Sequence, residues 1–256
     1  MTNLKRFINK VIIVTGAASG MGRASVIRFV AEGGKVIAVD LNEEGLKETV
    51  NLAGGDAGNV YYLVGSVSDE GDVKRIFDKV IAVEGKLDVL AHFAGILRSS
   101  FFTEMSLEDF MLPINVNLVG TFLVCREALP HLVKTKGNIV NTSSTASMYG
   151  GAYMTAYAAS KGGVSAFTKS LAWEYMQQGV RINAVAPGTI ATGMTVENPV
   201  VGLGDRADYS LFEHSQRPDL AVGKPEDVAG VVAMLASDDG SFMTGEIVKM
   251  DGGVHN

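Results

Sequence analysis

The run Val11-Ile-Ile-Val14 followed by Thr15-Gly16-Ala-Ala-Ser19-Gly20-Met21-Gly22 decides how this chain folds. Four β-branched residues are short enough for a strand buried on both faces. An apolar-periodic stretch with Ala24, Val26, Ile27, Phe29 and Val30 follows the glycines and predicts a helix over about 20–32. Glycine between a strand and a helix lets the backbone come close to a ligand, and the helix N-terminus offers unpaired N–H groups and the positive end of its dipole. Gly16, Ser19, Gly20, Met21 and Gly22 are thus the candidate cradle for a pyrophosphate, in Gly-x3-Gly-x-Gly spacing and not the commoner Gly-x-Gly-x-x-Gly. Taken alone, such a turn is also compatible with tight packing.

The pattern repeats down the chain. Strand-like runs recur at Lys35–Val39, Val60–Val64, Leu87–Ala91, Gly137–Asn141, Val180–Val185 and Ile247–Met250. Helix-length stretches fall between them at about 42–53, 69–84, 106–134, 155–178 and 225–237. Strand and helix in alternation require a parallel sheet covered by helices, joined by right-handed crossovers. No linker or repeat divides the 256 residues, so one α/β domain over 1–256 is expected. The stretch at about 193–218 lacks periodicity and is expected to be a loop that binds or covers a substrate.

Composition narrows the function classes. A net charge of −6 with 22 scattered Lys and Arg residues gives no basic field for nucleic acid. One cysteine, Cys125, excludes an internal disulfide and a multi-cysteine metal site, so no metal is expected. The first residues do not read as a secretory signal, and no continuous apolar run of about 18 residues is present. A cytoplasmic protein with no membrane partner is the expectation.

Three features carry chemistry. Asp40 ends the second strand, eighteen residues after Gly22, where a carboxylate accepts hydrogen bonds from an adenosine ribose and repels a 2′-phosphate. NAD(H) is therefore expected over NADP(H), with Arg23 and Lys35 as possible counterweights and a helix cap as the plainer role for Asp40. Tyr157 and Lys161 are four apart, which on a helix sets their Cβ atoms about 5–6 Å from each other. An ammonium there favours phenolate and brings the phenol toward the range of general acid/base catalysis. Ser144, thirteen residues upstream in Asn-Thr-Ser-Ser, offers a hydroxyl to a substrate oxygen. By itself the Tyr and Lys spacing is a common one for helix neighbours.

With these motifs in this order, the sequence resembles the short-chain dehydrogenase/reductase family in its compact single-domain form. Ala94-Gly95, Asn117 in Val116-Asn-Leu-Val-Gly120, Pro187-Gly-Thr-Ile-Ala-Thr192 and Asp251-Gly-Gly253 extend the likeness along nearly the whole chain. The resemblance implies a Rossmann-type doubly wound parallel sheet of about seven strands in the order 3-2-1-4-5-6-7, with helices on both faces. It implies Tyr157 as general acid/base, Lys161 as the group that lowers its pKa and contacts the nicotinamide ribose, and Ser144 on the substrate oxygen. Asn117 would support a water that relays protons from Lys161. Pro187 and Gly188 shape the turn that brings Ile190 and Thr192 to the carboxamide, while Ala94 and Gly95 line the cofactor. A homotetramer built through the helices of Asn117 and Tyr157 is likewise implied.

Two positions depart from the family pattern. Ser66-Val67 stands at the adenine pocket where Asp and an apolar residue are usual, and His92-Phe93 replaces a pair of asparagines. His92 is read mainly as a core histidine, with a pH-sensitive or substrate-facing role as the alternative. The substrate wall implied by the family includes Ala146, Met154 and Met194, with Met148, Tyr149, Tyr153, Leu97, Arg98, Val196 and Phe212 around it. A largely apolar wall suits a secondary alcohol or its ketone. Two other classes stay open on sequence. An NAD-binding epimerase or dehydratase normally has a larger C-terminal region, and an NAD(H)-sensing scaffold does not need Ser144, Tyr157 and Lys161.

Overall fold

The computed structural model describes residues 4–55, 59–193, 203–215, 219 and 221–255. Seven strands pair in parallel in the order β3-β2-β1-β4-β5-β6-β7. They are β1 (Val11–Thr15), β2 (Lys35–Asp40), β3 (Val60–Val64), β4 (Val89–His92), β5 (Asn138–Thr142), β6 (Arg181–Pro187) and β7 (Ile247–Met250). This is the Rossmann-type single domain expected from the alternation, with strand ends within one or two residues of those read from sequence.

The two-residue period of each strand sorts its side chains to two cores. On one face Ile12, Val14, Val36, Ala38, Val140 and Val185 meet Val26 and Phe29 of α1 (Gly20–Ala31), Leu46 of α2 (Glu43–Leu52) and Val228 and Val232 of α8 (Pro225–Ala236). On the other, Ile13, Ile37, Val39, Leu90, Ile139 and Ile182 meet α3 (Glu70–Glu84), α5 (Gly120–Thr135) and α7 (Thr155–Tyr175). Both faces being covered explains why the strands read as continuous apolar runs.

The single helix expected over 106–134 is divided. α4 (Leu107–Pro113) gives way to a π-helical turn at Ile114–Val119 before α5 begins. Pro113 brings no backbone N–H, and Gly120 N bonds back to Asn115 O, five residues earlier. The turn carries Asn117 inward. The stretch Leu107–Thr135 is long and apolar enough by composition to cross a membrane, although charged residues interrupt it. Its residues Leu123, Val124, Ala128, Leu129 and Leu132 are buried in the second core, as in a core helix.

Order reverses between β1 and β4, so the ends of these strands flank a crevice at the carboxyl edge of the sheet. Gly16 there has φ +67, and a Cβ on it would lie 2.6 Å from Ala94 N. A Cβ on Gly22 would lie 2.0 Å from Gly16 O. Gly22→Ala is therefore expected to cost about 1–3 kcal/mol, as overpacking does. A fall in the urea midpoint measures it, and an unchanged midpoint would mean that the turn yields without penalty.

Candidate active site

The crevice collects residues from the connections after β1 to β6. α1 starts at Ser19, whose side chain makes no capping bond, so the first N–H groups of the helix are left to other partners. Asp40 is turned to this same loop: its carboxylate accepts from Ala18 N at 3.1 Å and from Asn42 N at 3.0 Å. It does not cap α2, because Asn42 does, accepting from Gly45 N at 3.0 Å. Arg23 is held by Thr49, by Ala18 O and by Glu48 at 2.7 Å, and Lys35 pairs with Glu84 at the opposite end of β2. Arg23 thus reaches the same Ala18 peptide that Asp40 holds, with Glu48 as its carboxylate partner, while Lys35 is turned away.

The other cofactor candidates converge on the glycines. A Cβ on Gly20 would meet Thr192 Cγ2 at 3.1 Å, and Ile190 is bridged in parallel to Gly223. Gly20, Arg23, Ala191, Thr192 and Gly193 share a cleft of about 440 Å³ beside the start of α8. Pro187 O accepts from Thr145 N at 3.0 Å, and Gly188 N bonds Met250 O, which ties this turn to the segment after Ser144 and to β7. Val67 is buried under Gly120, while Ser66 N donates to Asp72 Oδ2 at 2.9 Å. A carboxylate thus stands beside Ser66 although residue 66 has none. With this glycine cradle, an open helix N-terminus and a carboxylate at the end of β2, the residues fit a dinucleotide.

At the centre, Gly95 lies where a Cβ would be 2.9 Å from Asn117 Oδ1 and 3.3 Å from Lys161 Nζ. Asn117 is buried, with Oδ1 accepting from Ile96 N at 2.8 Å and Nδ2 donating to Ile96 O and Ser160 Oγ at 2.9 Å each. Thr121 Oγ1 donates to its carbonyl at 2.6 Å. Asn117 therefore braces the strand-four loop against α7. Lys161 Nζ donates to Thr142 O at 2.8 Å and lies 5.9 Å from the Tyr157 ring centroid. Ser144 Oγ accepts from Ala146 N at 3.2 Å and lies close enough to Tyr157 to oppose the upward push of burial on its phenol.

The electrostatics correct one expectation. Lys161 was expected to lower the pKa of Tyr157, yet the protein's own groups leave the phenol raised, because burial outweighs the hydrogen bond from Ser144. Burial also lowers Lys161 to about 8, since its ammonium finds a carbonyl and no carboxylate. His92 is lowered to about 3 by burial and then by Lys161, so it is neutral at physiological pH and the pH-sensing alternative falls. Its Nδ1 lies 2.6 Å from Thr15 Oγ1, which also accepts from Ala94 N at 3.3 Å, bracing β4 to β1.

Around Ser144, Ala146 opens the short α6 (Ala146–Tyr149), and Met154 precedes α7 with its methyl group against Gly151. Met194 and Val196 lie outside the described residues. Arg98 is exposed and bonds Leu97 O, and Tyr149 stacks on His255 with centroids 4.1 Å apart. Sequence reading overlooked the clustering at Tyr153. This residue has φ +61, packs between Phe101 and Phe212, and accepts a hydrogen bond from Asp208 N at 2.9 Å. Nothing in its local sequence signals a left-handed tyrosine.

A parallel order of 3-2-1-4-5-6-7 with a glycine turn at its switch point and Ser, Tyr and Lys over the crevice defines a Rossmann-like α/β oxidoreductase architecture. A profile described as Enoyl-(Acyl carrier protein) reductase matches residues 16–255, and the chain belongs to the short-chain dehydrogenase/reductase family. It is 42% identical over 250 residues to a 3-oxoacyl-[acyl-carrier-protein] reductase of Thermotoga maritima, covering 97% of this chain and 99% of that one. It is 38% identical to 3beta-hydroxysteroid dehydrogenase 1 of Eggerthella lenta, covering 96% and 93%. Identity to a meso-2,3-butanediol dehydrogenase of Serratia marcescens is 37%, over 97% and 95%.

The buried ammonium gives a stability test. In the window from about 8 to 10.5 the unfolded lysine keeps a proton that the folded one has released, so wild-type stability rises with pH there. Lys161→Met is expected to be the more stable protein at pH 7, by up to about 3 kcal/mol, and to lose that advantage above pH 10.5. Urea unfolding at pH 7 and pH 11 measures it; a variant weaker than wild type at both would refute it.

Proposed function

We propose that the chain is an NAD(H)-dependent dehydrogenase or reductase acting on a secondary alcohol or its ketone. The observation that carries this reading is the buried juxtaposition of Ser144, Tyr157 and Lys161 beside the glycine crevice. When bound, the nicotinamide supplies or accepts the hydride. The protein's part is the proton and the oxygen. A ketone oxygen that gains charge is held by the Ser144 hydroxyl, and Tyr157 Oη gives it a proton in a site nearly closed to water. In the oxidative direction Tyr157 takes that proton back. Lys161 and Gly95 lie against each other, which supports a ribose contact from the lysine.

Asp40 supports NAD(H) over NADP(H), because a carboxylate fixed at the end of β2 disfavours a 2′-phosphate, and the nearby Arg23 is already paired with Glu48. Ala146 and Met154 are proposed for the substrate wall, with residues at about 193–218 as its loop. The names of the relatives span a 3-oxoacyl thioester, a steroid and a small diol, whose common element is a carbinol or carbonyl carbon. A homotetramer is part of the proposal, and the apolar groove of Phe122, Leu129, Phe167 and Leu171 on α5 and α7 offers a face for contact between copies.

Tyr157→Phe is expected to lower kcat about 10²–10⁴-fold on any active ketone or alcohol, followed by absorbance of the reduced nicotinamide. Retained kcat would sink the proton-transfer role. Wild type is expected to prefer NAD⁺ in kcat/KM, and Asp40→Ala to narrow the gap; equal use of both dinucleotides by wild type would count against Asp40 as selector.

A further inference from the structure

Three serines that the reading above does not use join its two halves. Ser147 Oγ donates to Ser144 O at 2.7 Å, and Ser143 Oγ donates to Lys161 O at 3.1 Å. Ser165 Oγ stands between them, 2.7 Å from Ser143 Oγ and 3.2 Å from Ser147 Oγ. Four contacts share three protons. Carbonyls only accept, so Ser147 spends its hydrogen on Ser144 O, Ser165 donates to Ser147, and either hydroxyl can donate between Ser143 and Ser165. The chain of hydroxyls thereby begins on the backbone of Ser144 and ends on the backbone of Lys161.

The placement matters because Ser144 sits in a loop and Lys161 in a helix. The loop after β5 reaches α7 through the bond from Lys161 Nζ to Thr142 O and through this hydroxyl chain. One contact holds the loop at its start, and the other holds it on the far side of Ser144. We propose that Ser143, Ser147 and Ser165 are positioning residues for the reaction, setting the distance of Ser144 Oγ from the Tyr157 phenol by tying the Ser144 backbone to α7. This rests on the roles given to Ser144, Tyr157 and Lys161 under the proposed function. The hydrogen bond from Ser144 is the one contribution that opposes burial at Tyr157, so a displaced Ser144 leaves the phenol harder to ionise.

Ser165→Ala removes the middle hydroxyl from a helix interior where alanine is at least as good a helix former, so folding is retained. Expected in the full chain are a kcat about tenfold lower, an unchanged dinucleotide Kd and Tm, and a rising limb of the oxidation profile moved to higher pH. The ¹³Cζ resonance of Tyr157, identified by its loss in Tyr157→Phe, is expected to shift at pH 7. Ser165→Thr, which keeps the hydroxyl, is expected to restore both readouts. Wild-type kcat with an unmoved Tyr157 resonance in Ser165→Ala overturns the proposal, and so does a loss that Ser165→Thr does not restore. If wild type turns over no substrate, the proposed function fails, while the resonance in the two Ser165 variants still decides whether the hydroxyl chain positions Ser144.

Discussion

At the mouth of the crevice, backbone meets backbone where side chains are missing. Gly16 lies against Ala94 N, and Gly22 lies against Gly16 O, at separations that no Cβ allows. Because these contacts sit where β1 and β4 diverge, they decide how near the helix N-terminus comes to the loop after β4. Gly95 in turn rests on Asn117 and Lys161, and Thr192 rests on Gly20. The glycine turn and the candidate catalytic lysine, 139 residues apart in sequence from Gly22 to Lys161, are thereby set on one edge of the sheet.

What the crevice gains from this closeness is a dry environment, and burial then governs its charges. Tyr157 is pushed up, Lys161 is pushed down to about 8 and His92 down to about 3. An ammonium facing a carbonyl instead of a carboxylate is costly to fold and strong in its effect on any charge brought beside it. That is the usual exchange of stability for activity at such sites. The hydroxyl chain through Ser165 and the brace at Asn117 supply rigidity by neutral hydrogen bonds, leaving the ammonium as the nearby charge.

Much of this was legible in the residues. Strand runs, helix lengths and the sheet order followed from alternation and from the family likeness, since parallel strands buried on both faces leave an unambiguous apolar pattern. Asp40, Gly95, Thr192 and the Ser, Tyr and Lys set arrived at the same edge, as their motifs implied. The π-turn around Asn117 was not legible, because the apolar spacing of α4 and α5 reads as one helix, and only the bond from Gly120 N to Asn115 O reveals the extra residue. The direction of the Tyr157 shift was also missed, because a four-residue spacing gives the proximity of a cation and says nothing of burial.

The sequence by itself determined the class of fold, the turn that needs glycine and the identity of the acid/base candidates, since these depend on local backbone sterics and side-chain chemistry. Only the tertiary structure decided which hydroxyls meet. Ser143, Ser147 and Ser165 have no distinguishing motif, and they become a connection because packing α7 beneath the β5 loop brings one helix position to two loop positions. The same packing sets the pKa of Lys161, which is a property of the surroundings and not of the residue.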